Sequence, residues 1–225
     1  MNLRFIFRIF RDVSWLKTII FNFNYFSIST AIHLPVFIFK NTCLSAVKGK
    51  ILFKCPIRMG IVRIGIHDLG TIDSKYNRTI WHCNGTVVFS GTASIGSGTR
   101  ISINRGGSLL VGDKFCITGG STIICSNKIS FGDECLLSWD ILIMDTDFHR
   151  ILNEKNDIVN ISKPIFIGNH VWIGCRNLIL KGVHIADNVV VAAGSKTTKD
   201  VAESYCIVGE RDFSKIIKNN VYWEK

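Results

Sequence analysis

An aliphatic residue recurs at every sixth position late in the chain, and this period constrains the fold more than any other feature. It begins at Ile167 and continues through Ile173, Ile179, Ile185 and Val191. A helix would place apolar residues three and four positions apart, and an isolated strand would place them two apart. A period of six instead predicts short strands separated by corners, three to a turn, in a parallel β-solenoid with about 18 residues per turn.

The same period returns upstream, with two changes of phase. The upstream runs cover residues 95–101, 111–129 and 131–143. Glycine or alanine often follows the aliphatic residue, as in Ile167-Gly168, and leaves room for the chain to turn at a corner. Stacked repeats bury a continuous core only between neighbours, so both ends of a solenoid need caps.

These observations predict an all-β fold in three parts. Residues 61–208 are expected to form the solenoid, with a loop at 144–164 extruded from it. Residues 1–60 are expected to form an N-terminal cap of helix and strands, and residues 209–225 a short C-terminal helix and tail.

Positive charge is concentrated near the beginning of the chain. The net charge is +10, and nine of these charges lie before residue 64, where the one acid is Asp12. Arg4, Arg8 and Arg11 fall at helical spacing among aromatic and aliphatic residues. Such a segment fits a helix lying on an anionic membrane surface, and it fits equally a cap helix with a solvated arginine stripe.

Three kinds of protein find no support in this sequence. No recognisable nucleic-acid-binding motif accompanies the basic residues. No apolar run reaches the roughly 18 residues that a membrane-spanning helix needs, and no signal-peptide cleavage site follows the early arginines. The eight cysteines form no C-x-x-C pair, so neither a zinc ribbon nor a thioredoxin-type site is supported. Most of them are expected to be reduced, small residues of the core. We therefore expect a cytoplasmic protein, either free or peripheral at the inner membrane face.

The six-residue period fails between residues 144 and 164, where the chain becomes polar. Asp145, Asp147 and His149 lie at the start of this stretch. Loops held by a rigid scaffold commonly carry catalytic groups, and a histidine can accept a proton near neutral pH. His149 is therefore the candidate general base, and either Asp145 or Asp147 is expected to orient its imidazole.

The segment IGNHVWIGCRNLILKGVHIADNVVVAAGSKTTKD resembles the left-handed β-helix, or hexapeptide-repeat, acyltransferases. The resemblance covers roughly residues 95–208. The segment SWDILIMDTDFHRI and the basic N-terminus are similar to O-acetyltransferases of capsular and exopolysaccharide biosynthesis. The resemblance implies left-handed coiling, a homotrimer with sites between subunits, and transfer of acetyl from acetyl-CoA to a saccharide hydroxyl with His149 as the base.

The resemblance also implies a set of binding residues. Trp139 and Asp147 are expected to contact the acceptor. The residues expected along coenzyme A, from the thioester to the phosphates, are Trp172, Gly174, Cys175, Ala193, Gly194, Lys196, Thr198 and Lys199. A backbone N–H near Cys175 is expected to stabilise the oxyanion, and transfer is expected to be direct, without an acyl-cysteine.

Two departures and several alternatives bear on this assignment. The stretch ITGGSTII replaces the sugar-binding asparagine of small-sugar acetyltransferases, and Gly209 is followed by Glu-Arg-Asp, not by the usual G-N-P-A-K close. Carbonic anhydrases of this fold bind zinc through an H-x-x-x-x-H pair, which this sequence lacks, so no metal is expected. A non-catalytic scaffold, a membrane- or polyanion-binding protein, and an acyl donor longer than acetyl remain open.

Overall fold

A parallel β-solenoid runs through most of the chain. The computed structural model describes residues 11–67, 69–73, 75–209 and 216–219. Within them, successive strands enter three sheets in rotation, so that three strands complete one coil.

The first sheet has nine strands: β1 (Val36–Ile38), β4 (Val62–Ile66), β7 (Ala93–Gly96), β10 (Phe115–Gly119), β13 (Leu136–Trp139), β16 (Trp172–Ile173), β19 (Val190–Val191), β21 (Cys206–Val208) and β22 (Ile216–Asn219). The second has seven: β2 (Thr42–Val47), β5 (Thr79–Cys83), β8 (Arg100–Ile103), β11 (Thr122–Cys125), β14 (Leu142–Met144), β17 (Leu178–Leu180) and β20 (Lys196–Thr197). The third has six: β3 (Lys50–Phe53), β6 (Thr86–Phe89), β9 (Ser108–Val111), β12 (Lys128–Phe131), β15 (Ile165–Ile167) and β18 (His184–Ile185).

The six-residue period arises because each strand buries one aliphatic side chain, which stacks on the equivalent side chain of the next coil. In the first sheet Leu137 pairs with Ile173, and Ile173 pairs with Val191 in the next coil. All three side chains are buried in the continuous core. Burying one such aliphatic side chain is worth about 1.5–3 kcal/mol, so each added coil extends the core by a similar increment. The predicted parallel solenoid is therefore confirmed.

The solenoid begins earlier than the sequence pattern indicates. Strands β1 to β3 lie inside the range 1–60 that was expected to be the cap, and they pair in parallel with β4 to β6. Because of two irregularities, the six-residue pattern in the sequence does not reveal this coil. Strand β2 shifts register between Leu44 and Ala46, and a loop at 67–78 separates β4 from β5.

A helix closes the N-terminal end of the solenoid. Helix α1 (Trp15–Tyr25) is followed by the short helix α2 (Ile28–Ala31). The Asn22 side chain donates to the Val36 carbonyl at 2.7 Å and accepts from the Val36 N–H at 3.1 Å. Thr18 Oγ1 likewise accepts from the Ile38 N–H at 3.0 Å. These buried side chains occupy backbone groups on the open edge of β1, which would otherwise invite pairing with another chain.

Part of the basic N-terminal stripe can be located. Arg4 and Arg8 lie outside the described residues, whereas Arg11 is exposed and pairs with Asp12 at 2.8 Å. In the part of the chain that the structure describes, no helix is long and apolar enough to cross a membrane.

The C-terminal segment differs from its prediction. Ile216–Asn219 forms β22, antiparallel to β21, so the expected helix is wrong over these four residues. The last parallel strand, β21, would otherwise have an unpaired edge. Strand β22 pairs with that edge and provides hydrogen-bond partners for its backbone groups. Two adjacent β-branched isoleucines in the segment also favour a strand. The other residues of 210–225 lie outside the described part.

The cysteines carry no cross-links. All eight are free thiols, and Cys83, Cys125, Cys135 and Cys206 are buried. Desolvation raises the pKa of Cys125 and of Cys135 to about 12, so both thiols are protonated and act as small apolar groups.

Candidate active site

The corners of the solenoid stack into edges that organise the candidate site. The first edge is the line of corners between the first and second sheets, and it contains Gly98, Gly120, Asp140, Cys175 and Gly194. The second edge is the line of corners between the second and third sheets. It contains residues 104–107, 126–127, 145–164, 181–183 and 198–200.

The predicted extruded loop leaves the solenoid at the second edge, between β14 and β15. Its outer part is held by an isolated antiparallel bridge between Leu152 and Ile158. His149 lies near the base of the loop with its side chain exposed to solvent. The backbone of His149 is fixed on both sides: its N–H donates to the Asp147 carbonyl at 2.7 Å, and its carbonyl accepts from Asn160 Nδ2 at 2.8 Å.

Asp145 is a structural residue of the solenoid corner. Its side chain is buried, Oδ1 accepts from the Ser126 N–H at 2.7 Å, and Oδ2 accepts from the Asn127 N–H at 2.8 Å. Because each carboxylate oxygen already holds a backbone amide of the preceding coil, Asp145 is committed to that corner. Asp145 therefore caps the backbone N–H groups of Ser126 and Asn127 and does not orient the His149 imidazole, as had been expected of it.

Asp147 is also engaged, by the coil that follows the loop. Its Oδ2 accepts from Lys181 Nζ and from Asn160 Nδ2, the latter at 2.9 Å, and Lys181 further donates to the Asn160 carbonyl at 2.9 Å. The hydrogen bond from Lys181, joined by that from Asn160, holds the pKa of the Asp147 carboxyl below its usual range. In the described part of the chain neither aspartate contacts the His149 imidazole. Asp147 instead anchors the backbone that carries His149.

Lys181 was not among the residues that the sequence indicated. It follows β17, whose Leu180 stacks directly on Met144 of β14, so Lys181 stands one coil beyond the base of the loop. The register of the repeat could have placed it there, since residues after stacked strands share an edge. Through its contacts with Asp147 and Asn160, Lys181 clamps the extruded loop to the following coil.

We expect Lys181→Met to loosen the loop without unfolding the solenoid. Removing the ammonium leaves the Asn160 carbonyl without the Lys181 donor and leaves Asp147 with the Asn160 side chain alone. An exposed ion pair contributes at most about 1 kcal/mol to global stability. Hydrogen exchange of residues 147–162 should therefore accelerate while the thermal midpoint changes little. Lys155→Met, at the outer turn of the same loop, is the matched control and should leave exchange unchanged. Equal hydrogen-exchange rates of residues 147–162 in both variants would contradict the role of Lys181 in holding the loop.

The residues expected along coenzyme A separate into two groups. Cys175, Ala193 and Gly194 lie on the first edge, whereas Thr198 and Lys199 lie on the second edge, one coil beyond Lys181. Lys196 stands between them on β20 with its side chain exposed. His149 therefore shares an edge with Thr198 and Lys199, and within one chain it lies on a different edge from Cys175.

Several backbone N–H groups around the first edge are already hydrogen-bonded. The Gly174 N–H donates to the Val191 carbonyl at 2.8 Å, and the Gly194 N–H donates to the Cys175 carbonyl at 2.9 Å. A Cβ on Gly174 would lie 2.7 Å from the Ala193 nitrogen, so close stacking of the coils requires glycine there. Gly174 is thus a packing residue, not a free donor. The Cys175 N–H has no hydrogen-bond partner among the described residues.

Both candidate tryptophans lie in the first sheet. Trp172 is 37% exposed at the start of β16, and its Nε1 donates to Ser138 Oγ at 3.1 Å. Trp139 is half-buried at the end of β13, beside the first edge. Asp147, the other expected acceptor residue, is on the second edge. One chain therefore does not bring Trp139 and Asp147 together.

Comparison with known proteins identifies the repeat. A family model described as "Bacterial transferase hexapeptide (six repeats)" matches residues 164–199. The chain is 32% identical over 111 residues to the galactoside O-acetyltransferase of Escherichia coli (strain K12), covering 48% of this chain and 54% of that protein. It is 43% identical over 65 residues to the polysialic acid O-acetyltransferase of Neisseria meningitidis, covering 28% of this chain and 30% of that protein. The chain spans about half the length, or less, of these curated relatives.

A solved structure extends the likeness to most of the fold. The crystal structure of the polySia specific acetyltransferase NeuO superposes with a TM-score of 0.55 and 21% identity, covering 82% of this chain and 89% of that one. This chain is a hexapeptide-repeat, left-handed β-helix. The hexapeptide match covers every residue expected along coenzyme A, and it begins after Asp147 and His149 in the chain. It shows the repeat over those residues and does not assign a role to any of them.

Possible metal ligands do not cluster in the part of the chain that the structure describes. Among those residues no group of three or more histidine, cysteine, aspartate or glutamate side chains is placed to hold a metal ion. Two histidines of the repeats have other contacts. His170 Nδ1 lies 3.0 Å from Asn188 Oδ1, and the His184 ring packs on Phe166 with centroids 4.7 Å apart.

Proposed function

We propose that this β-helix transfers an acetyl group from acetyl-CoA to a saccharide hydroxyl. The observation that carries the proposal is the presence of two groups without hydrogen-bond partners among the described residues, one on each of two neighbouring edges. The exposed imidazole of His149 stands on an anchored loop at the second edge, and the Cys175 N–H stands at the first edge. A proton acceptor and an oxyanion donor are what acyl transfer to a hydroxyl requires. The relatives named above are O-acetyltransferases of a galactoside and of polysialic acid.

In the proposed reaction the acceptor hydroxyl attacks the thioester carbonyl as His149 takes its proton. The Cys175 N–H donates to the carbonyl oxygen, which gains negative charge in the tetrahedral intermediate. Collapse of that intermediate breaks the carbon–sulfur bond, and the imidazolium returns its proton to the departing thiolate of coenzyme A. Cys175 contributes its backbone, so its thiol needs no activation in this scheme.

The acting form in this proposal is a homotrimer. His149 and Cys175 belong to different edges of one solenoid, and packing three copies side by side sets the second edge of one copy against the first edge of the next. Coenzyme A then lies in the groove between copies, with Trp172 beside the pantetheine arm and Lys196, Thr198 and Lys199 near the phosphates. Exposed cations there pair with phosphate oxygens through charge-assisted hydrogen bonds.

Calorimetric titration with acetyl-CoA tests the cofactor without knowledge of the acceptor. We expect saturable binding by the wild type and at least tenfold weaker binding by Trp172→Ala/Lys199→Ala, because the variant loses an apolar wall and a phosphate partner. Lys155→Ala, on the outer loop, should bind like the wild type. Free CoA should compete for the same site. Absence of binding by any acyl-CoA would favour a non-catalytic scaffold over the acyltransferase.

We also propose that the N-terminal cap rests on the cytoplasmic face of the inner membrane. Helix α1 buries Thr18, Phe21 and Asn22 against the solenoid, whereas its outer face leaves Leu16 71%, Ile20 55% and Phe23 47% exposed. An apolar stripe at helical spacing, in the region that holds nine of the ten net positive charges, suits a shallow position in an anionic bilayer. This contact would bring the enzyme to a lipid-linked acceptor.

Sedimentation with anionic phospholipid vesicles should detect this contact. We expect Leu16→Ser/Ile20→Ser/Phe23→Ser to lower the vesicle-bound fraction at least tenfold, because the substitutions remove apolar area and leave the docked face of α1 intact.

The matched control replaces three exposed apolar side chains elsewhere on the protein, in Leu52→Ser/Met59→Ser/Tyr205→Ser. This control should sediment like the wild type. Equal vesicle binding by both triple variants would contradict membrane contact through α1.

A further inference from the structure

A surface pocket of about 370 Å³ opens on the first edge, beneath the loop that joins β4 to β5. Its floor is bare backbone at Gly98 and Gly120, where the chain turns with φ of +74° and +63°. Ile72 of the overlying loop packs on this floor, since a Cβ added to Gly119 would lie 2.6 Å from its Cδ1. The glycines that replace an expected sugar-binding asparagine thus make room for a loop and a cavity.

Two arginines and a tryptophan contribute to the polar lining of this pocket. Arg100 and Arg176 line it together with Trp139, Asp140, Thr71 and Asn77. Neither guanidinium forms a hydrogen bond or ion pair with any described residue, and Asp140 is the one acid among the lining residues. Guanidinium groups without a carboxylate partner favour a carboxylate ligand, which they bind with two parallel hydrogen bonds. An indole face beside them offers an apolar surface for a sugar ring.

The spacing of the two arginines indicates the size of the ligand. Arg100 pairs with Thr122, Thr122 with Leu142, and Leu142 with Leu178, so Arg100 and the corner at Arg176 are three coils apart. At about 4.8 Å per strand the backbone positions of the two arginines are roughly 14 Å apart along the edge, longer than one sugar ring. Two arginines that start from positions this far apart suit carboxylates on different residues of an oligosaccharide.

The position of the pocket relates it to the proposed chemistry. Arg176 directly follows Cys175, whose N–H is the proposed oxyanion donor. A saccharide held by Arg176 therefore lies next to the carbonyl that its hydroxyl would attack. We infer that this pocket is the acceptor subsite for an acidic oligosaccharide, whose carboxylates bind Arg100 and Arg176 and whose ring stacks on Trp139. The acceptor role rests on the proposed function, whereas binding of the acid does not.

Binding can be tested without cofactor, on the full chain in its native assembly. Short oligomers of sialic acid and of uronic acid are titrated beside their carboxyl-reduced forms. We expect the acidic oligomers to bind at least tenfold more tightly than the reduced ones. Arg100→Gln and Arg176→Gln should each lower that affinity about tenfold or more, because each removes a charged hydrogen-bond donor. Trp139→Ala should weaken both forms, and Arg105→Gln, on the second edge, should weaken neither.

Three outcomes would overturn the inference. They are equal affinity for acidic and reduced oligomers, an Arg105→Gln effect as large as that of Arg176→Gln, and absence of binding by every acidic oligomer. Short single-stranded DNA binding as tightly as the acidic oligomers would equally overturn it, since that would show a general polyanion surface. Titrating the same preparations with acetyl-CoA separates the two proposals. Acid binding without acetyl-CoA binding sustains the subsite and defeats the acetyltransferase, and the converse defeats the subsite alone.

Discussion

His149→Ala should lower kcat for acetyl transfer by about 10²–10⁴ and leave the Kd for acetyl-CoA unchanged. A hydroxyl is a weak nucleophile toward a thioester until a base takes its proton as the bond forms. His149 is the exposed imidazole on the loop, and its backbone is held by hydrogen bonds on both sides, so the variant removes the base without disturbing the anchor. Release of free CoA thiol, followed with a colorimetric thiol reagent, measures the rate.

The matched control is His33→Ala, which removes an exposed histidine from the cap and should leave kcat unchanged. Lys181→Met offers a second comparison, because it loosens the loop but keeps the imidazole. It should reduce kcat less than His149→Ala does. Near-wild-type turnover by His149→Ala would exclude this residue as the base.

Mixing variants tests whether the site is shared between copies. His149→Ala keeps Trp172 of the first sheet, and Trp172→Ala keeps both His149 and Lys199 of the second edge. If a site combines the second edge of one copy with the first sheet and first edge of its neighbour, trimers reassembled from these two variants contain some intact sites and recover part of the activity. Recovery is not expected if each chain holds a complete site, because every chain in the mixture then carries a defect.

The fold could be predicted from the sequence wherever the six-residue repeat is regular. Ile167, Ile173 and Ile179 each anchor one strand at a constant interval, so the period displays the three sheets directly in the sequence. The first coil escaped detection because the register shift in β2 and the loop at 67–78 disturb the interval. Strands can still pair across such irregularities, because each strand needs only hydrogen-bonding partners in the adjacent coils. A search for a constant interval in the sequence misses them.

Residue roles were less predictable, because the partners of a side chain lie in adjacent coils. Asp145 and Asp147 are two positions apart and equally polar in the sequence, yet one holds the backbone of the preceding coil and the other holds Lys181 of the following coil. The pocket on the first edge shows the same dependence. Arg100 and Arg176 are distant in sequence and share a cavity only because the coils stack.

Trp81→Ala should destabilise the protein by about 3–5 kcal/mol, the largest loss of stability we expect from a single substitution. Trp81 of β5 is fully buried between the solenoid and the cap. Its ring meets Phe21 of α1 edge to face, with centroids 5.7 Å apart, and its Nε1 donates to the Tyr25 hydroxyl at 3.0 Å. Truncation leaves a cavity at the junction and removes the donor from Tyr25, whose pKa is raised by burial.

The measurement is urea unfolding at a fixed protomer concentration, because assembly makes apparent stability depend on concentration. Tyr76→Ala removes an aromatic ring that is 74% exposed, and it should change the free energy of unfolding by no more than about 0.5 kcal/mol. Hydrogen exchange of α1 should rise in Trp81→Ala, since Phe21 and Tyr25 both lose a contact with β5. Wild-type stability in Trp81→Ala would contradict this prediction and would mean that the other contacts of α1, including those of Thr18 and Asn22 with β1, suffice to hold the cap.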